Sequence, residues 1–252
     1  MSINELKYRF SDFTIENYRK LIQLAKKNFV FRGFHNFSKN ERFILWRHDV
    51  DSSPQIALKL ALIEKEEGVK ATYFINLHSE FYNFWERPIY DCFNEISKLG
   101  HDIGVHFDCN FYGKKVAKNF EQLLLKEKQF LENELDVKIL SFSFHNPTNE
   151  ILKMDKFKYS GLINAYSADL KNTLDYCSDS NGFWKFDRLE DVLTKKNNKS
   201  LHVLTHAGWW QDKVLPPRQK IMRLIDTRAN YYKNLYDNFL KKGGRENIDW
   251  DN

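Results

Sequence analysis

The feature that most restricts this chain is an alternation: short apolar runs rich in β-formers take turns with longer stretches whose apolar residues keep helical spacing. Phe43 to Trp46, Ala71 to Ile75, Ile103 to Phe107, Ile139 to Phe144 and Leu201 to Thr205 read as strands. Between them, Ile56, Leu60 and Ile63 share one helical face, opened by Pro54 and stopped by Gly68. Ile89, Cys92, Phe93, Ile96 and Leu99 share another, stopped by Gly100, and Val116, Phe120, Leu123, Leu124 and Leu131 mark a long third. A helix over about 14–28, carrying Tyr18, Leu21, Ile22 and Ala25, comes first. A last helix over about 217–242 opens at Pro216 and Pro217 and ends at Gly243 and Gly244. It is expected to turn Ile221, Leu224, Ile225, Tyr232, Leu235 and Phe239 to the core.

Such alternation specifies an α/β fold, a parallel sheet with covering helices, without separating an open sheet from a barrel. The signal weakens between Ser160 and Gly182, where short strands and loops are expected, and Leu189 to Leu193 reads as helix. No repeat or low-complexity linker interrupts the chain, and 252 residues suit one domain.

The formal charge is +5, with lysines read as scattered along helices, which does not favour nucleic acid; an acidic small substrate fits as well. Cys92, Cys109 and Cys177 are odd in number and lack CxxC spacing, which argues against a disulfide scaffold or thiolate zinc site. The N-terminal segment Met1 to Phe10 has no apolar signal-peptide core, and no run is long and apolar enough to span a membrane. A soluble cytoplasmic protein is the expectation.

The chemistry-bearing residues cluster at strand ends. His48, Asp49 and Asp51 follow the first core strand, His106 and Asp108 end the third, His145 follows the fourth and His206 the last. In parallel α/β folds these carboxyl ends meet at one face. Imidazoles and carboxylates gathered there suit a divalent transition metal. Singly, each residue has a plainer role: a strand-end His is commonly a satisfied polar group, and Asp49 or Asp51 would cap the helix opening at Pro54. Recurrence at four strand ends favours a site.

These segments resemble the polysaccharide deacetylase superfamily, the NodB-homology or carbohydrate esterase family 4 group. Arg47-His48-Asp49-Val50-Asp51 is similar to its first motif, with the aspartate pair split by Val50. Gly100-His101-Asp102-Ile103-Gly104-Val105-His106 is similar to the approach to the second, Ala71 to Asn76 to the strand between them, and Leu201 to Trp210 to the last. The likeness spans most of residues 40 to 212. It implies a distorted, incomplete (β/α) barrel, Asp49 as general base, Asp51 and His106 as metal ligands and His206 as general acid. Two departures matter. The family's second metal histidine corresponds to Asn110, a poor zinc ligand. Its third-motif arginine is missing from Ser143-Phe144-His145-Asn146-Pro147, and His145 is inferred to be the third ligand, with Asp108 as rival.

The resemblance thus implies a metal-dependent N-deacetylase, with zinc first and cobalt, nickel, manganese or iron as alternatives. The departures resemble a branch found in bacterial surface-polysaccharide synthesis, which implies a nucleotide-linked or lipid-linked amino-sugar substrate. Trp209, Trp210 and Trp184, with Asp179 and Ser180, are candidates to contact the sugar, and Arg47 to balance or orient Asp49. A metal-independent, allantoinase-like amidohydrolase and a catalytically silent carbohydrate-binding protein remain as alternatives.

Overall fold

The computed structural model describes residues 3–38, 40–195 and 199–248. Its strands are β1 (Val30–Arg32), β2 (Phe43–Val50), β3 (Thr72–Ile75), β4 (Asp102–Asp108), β5 (Ser141–His145), β6 (Lys158–Tyr159), β7 (Leu162–Asn164), β8 (Asp175–Ser178) and β9 (Leu201–His206). The helices are α1 (Ile3–Tyr8), α2 (Ile15–Asn28), α3 (Pro54–Glu66), α4 (Arg87–Lys98), α5 (Cys109–Tyr112), α6 (Val116–Leu135), α7 (Ala168–Thr173), α8 (Leu189–Thr194) and α9 (Pro217–Lys242).

Among the described residues, nine strands join one sheet, in the order β6-β7-β5-β4-β3-β2-β9-β8 with β1 also paired to β2. Every pairing is parallel except β6 with β7. The path is open at both ends, so this is an incomplete, distorted (β/α) barrel. The weakly patterned stretch from Ser160 to Gly182 holds β7, α7 and β8.

β2 shows how one strand divides the molecule. All eight of its residues are buried, and successive side chains point to opposite faces. Ile44, Trp46 and Val50 join the large core beneath the helices, with Tyr73, Val105, Phe107, Phe142 and Phe144. Phe43 and Leu45 join a smaller cluster on the other face, with Phe34, Phe74 and Ile163. Arg47 and Asp49 continue that second face, so the sheet's inner side runs from apolar at its base to charged at the strands' carboxyl ends. Gly104 permits the close packing there: a Cβ at this position would meet the Phe74 ring at 2.4 Å.

Strand β2 extends past Trp46 to Val50, so His48 and Asp49 lie within the strand rather than after it. Its hydrogen-bond register with β9 continues to Asp49 and His206, which holds the polar residues in extended form. The last helix differs more. Its range is as expected, but Lys220 is its only fully buried residue, and Ile225, Tyr232 and Phe239 are exposed. Helical spacing alone did not reveal which flank meets the body.

Candidate active site

Odd-numbered β2 residues and even-numbered β4 and β9 residues share the inner face. The parallel register sets Asp49 beside His206, His106 beside Ser143, and Asp108 beside His145. Asp51 follows β2 with the same parity as Asp49. Across the curled sheet, Asp51, His106 and His145 offer ligand atoms that all lie within 4.8 Å of one another. Asp51 Oδ1 is 2.9 Å from His106 Nε2 and 2.9 Å from His145 Nδ1. The two imidazole nitrogens are 3.2 Å apart.

This donor set fits a divalent transition metal: two imidazoles and a carboxylate converge, and catalytic zinc commonly has three protein ligands. The outer contacts are suitable too. Ser143 Oγ lies 2.6 Å from His106 Nδ1, orienting the ring so that Nε2 faces the cluster. The Asn146 amide lies 2.9 Å from His145 Nε2. Burial works against the Asp51 charge, yet His106 and His145 hold its pKa well below the usual carboxylate range. Burial also opposes charge on His145, but its bond to Asp51 raises its pKa.

Asp49 sits deeper, 1% exposed. Its Oδ2 accepts from Arg47 Nη2 at 3.2 Å and lies 3.8 Å from His106 Nε2. Arg47 is fully buried and also donates to the Tyr166 hydroxyl at 3.0 Å. Burial works against the Arg47 charge, but Asp49 beside it raises the pKa. The arginine therefore contacts the proposed base rather than an open pocket.

His206 faces Asp51 from the other side, Nε2 to Oδ2 at 3.7 Å. Its Nδ1 lies 2.6 Å from Asp179 Oδ1, and its backbone N–H donates to Asp179 Oδ2 at 2.8 Å. Burial opposes the imidazolium, but Asp179 carries the pKa up to about 9. Asp179 is fully buried with both oxygens on His206, which corrects the expectation that it contacts sugar. Side chains of Asp51, His145 and His206 are 27%, 17% and 21% exposed, and they form the open side of the site.

The tryptophans divide differently from expectation. Trp210 is fully buried, 4.8 Å from Tyr18 and 5.3 Å from Phe13 between ring centres, so it is core and not a sugar platform. Trp184 stacks on Phe13 at 4.9 Å and donates Nε1 to Asp12, which ties it to the N-terminal segment. Trp209 is partly exposed, and a side chain on Gly182 would meet its ring, so it packs on the turn that contains half-buried Ser180. Neither belongs to the cluster.

Asn110 is exposed, and its backbone N–H donates to the Asp108 carboxylate at 2.8 Å. Asp108 caps α5 and is not in the cluster. His48 faces away from Asp49, bonding to Glu64 at 2.7 Å and to Thr205 at 2.7 Å. Sequence reasoning missed Ser143 and Tyr166. Ser143 shares strand parity with His145, which could have flagged it, whereas nothing in the sequence singles out Tyr166.

No protein-family model matches the chain, and no curated protein matches it. Among solved structures, the Streptococcus pyogenes deacetylase PplD in complex with acetate is 13% identical with a TM-score of 0.40. That match covers 82% of this chain and 84% of the other. A CE4 family pseudoenzyme from Bacillus anthracis is 15% identical with a TM-score of 0.42, over 75% of this chain and 63% of its own. A mutant of it with restored enzymatic activity is also 15% identical, at a TM-score of 0.40, over 79% of this chain and 65% of its own. Likeness this distant carries no argument about activity.

Proposed function

We propose that the protein is a metal-dependent amide hydrolase that removes the acyl group from an acylated amino sugar. The observation that carries this reading is the placement of Asp49 and His206 beside a three-donor cluster of Asp51, His106 and His145. Bound at that cluster, a divalent ion supplies positive charge that polarises an acyl carbonyl and makes a nearby water more acidic. Asp49, oriented by Arg47, accepts a proton from the water as its oxygen attacks the acyl carbon. His206, held by Asp179, donates a proton to the amine nitrogen as the C–N bond breaks. One water is consumed, a carboxylate and a protonated amine leave, and the proton taken up by Asp49 returns to His206. Ser143 steadies His106 during this sequence, and the exposed edges of Asp51, His145 and His206 are where the acyl group enters. The donor set supports zinc first, with cobalt, nickel, manganese or iron as alternatives. For substrate, we propose a nucleotide-linked or lipid-linked N-acyl amino sugar of surface-polysaccharide synthesis.

The test is acetate release from UDP-N-acetylglucosamine and from a panel of N-acetylated sugars, with and without a chelator. Zinc- or cobalt-dependent release is expected. Release that ignores chelation favours the allantoinase-like alternative; sugar binding with no release by metal-loaded protein favours the silent binder.

A further inference from the structure

Helix α9 carries seven basic residues against two acidic ones, a net +5 that equals the formal charge of the whole chain. The rest of the chain is therefore neutral, and the lysines are less evenly scattered than the sequence reading held. Lys220 is buried and Arg228 pairs with Glu86, which leaves Arg218, Arg223, Lys233, Lys241 and Lys242 exposed. Along the same helix, Met222, Ile225, Tyr232, Tyr236 and Phe239 form a row 43–56% exposed, at spacings that keep one flank of a helix. The row borders a groove of about 820 Å³ whose walls include Ile56, Phe81, Tyr82 and Tyr232. The groove reaches Ser52, the residue after the proposed ligand Asp51.

We infer that α9 lies on an anionic lipid surface, with its apolar row entering the headgroup boundary and Arg218, Lys233 and Lys242, which lie on or beside that row, facing lipid phosphates. A long helix of low mean hydropathy with exposed aromatic and basic residues has the composition of an interfacial helix, and its tyrosines suit a boundary that is apolar on one side and wet on the other. Charge decides against a second copy of this chain. Basic residues occupy both ends, so parallel or antiparallel pairing of two α9 helices sets like charges side by side. An anionic bilayer meets both ends with opposite charge, at about 1 kcal/mol per basic residue near the surface.

This inference does not depend on the proposed reaction, because vesicle binding and amide hydrolysis are read separately. The test is co-sedimentation of the full chain with vesicles of phosphatidylcholine alone and of phosphatidylcholine with one quarter phosphatidylglycerol. Binding to the anionic vesicles, weakened by salt, is expected. An Arg218→Gln/Lys233→Gln/Lys242→Gln variant should lose about tenfold or more in partitioning. A Met222→Ser/Tyr236→Ser/Phe239→Ser variant, which spares the Tyr232 hydroxyl bonded to Glu86 and Arg228, should lose binding while its circular dichroism and melting temperature stay those of the parent. Absence of binding, equal binding to both vesicle types, or unaltered binding by the variants overturns the inference. So does a dimer, dissociated by the aromatic variant, in a protein that ignores vesicles.

Discussion

A guanidinium with no route to water lies beneath Asp49, and this pair sets what the residue can do. Arg47 is fully buried, with Nε and Nη1 lacking a hydrogen-bond partner among the described residues, so Asp49 and Tyr166 are its polar anchors. Removing one partner of a buried pair strands the other charge, at a cost of about 3–5 kcal/mol. Arg47→Met should therefore lower stability by about that amount, measured by urea denaturation; a loss under about 1 kcal/mol would show that Asp49 does not need it. Asp49→Asn probes the proposed chemistry instead. An amide cannot accept the water's proton, so turnover should fall by about 10²–10⁴-fold while metal content holds. Near-parental turnover would remove Asp49 from the base's role.

At the scale of elements, β2 and α3 share a buried polar network. Glu64 of α3 accepts from the hydroxyls of Tyr18 and Tyr73, lies 2.7 Å from His48 Nε2 and 3.5 Å from His101 Nδ1. Burial would raise the Glu64 pKa, but His48 and His101 with the Tyr18 hydroxyl hold it below its ordinary value. A carboxyl depressed on folding contributes stability above its unfolded pKa, and that contribution drains away as pH falls through the folded one. Glu64→Gln should accordingly melt lower at pH 7 and lose less of its remaining stability between pH 5 and pH 3 than the parent. Parallel melting curves for the two proteins across that window would rule the network out as an acid-sensitive support. This network also explains His48: parity turned it from the site, as its alternation with Asp49 in the sequence required.

For the molecule as a whole, legibility followed the length of the elements. Strands β2, β4 and β9 have apolar runs long enough to show their alternation, so the strand-end His and Asp residues could be gathered before any geometry was known. His145 was legible for the same reason, and the structure brings it beside Asp51 and His106. Strands such as β6, β7 and β8 are two to four residues long, too short for a period, which hid Tyr166 and the pairing of Asp179 with His206. Residue type misled where either environment suits it: Trp210 is buried and Trp184 packs against the core, and the apolar row of α9 lies outside. We propose that His145 supplies the third metal ligand, in place of Asn110. Cobalt(II) titration followed by visible absorption tests it in parent, His145→Ala and Asn110→Ala proteins. One equivalent should bind to the parent and to Asn110→Ala with the same ligand-field bands, while His145→Ala should lose affinity at least about tenfold, as catalytic sites need three protein ligands. Bands lost in Asn110→Ala and kept in His145→Ala would make Asn110 the ligand and exclude His145.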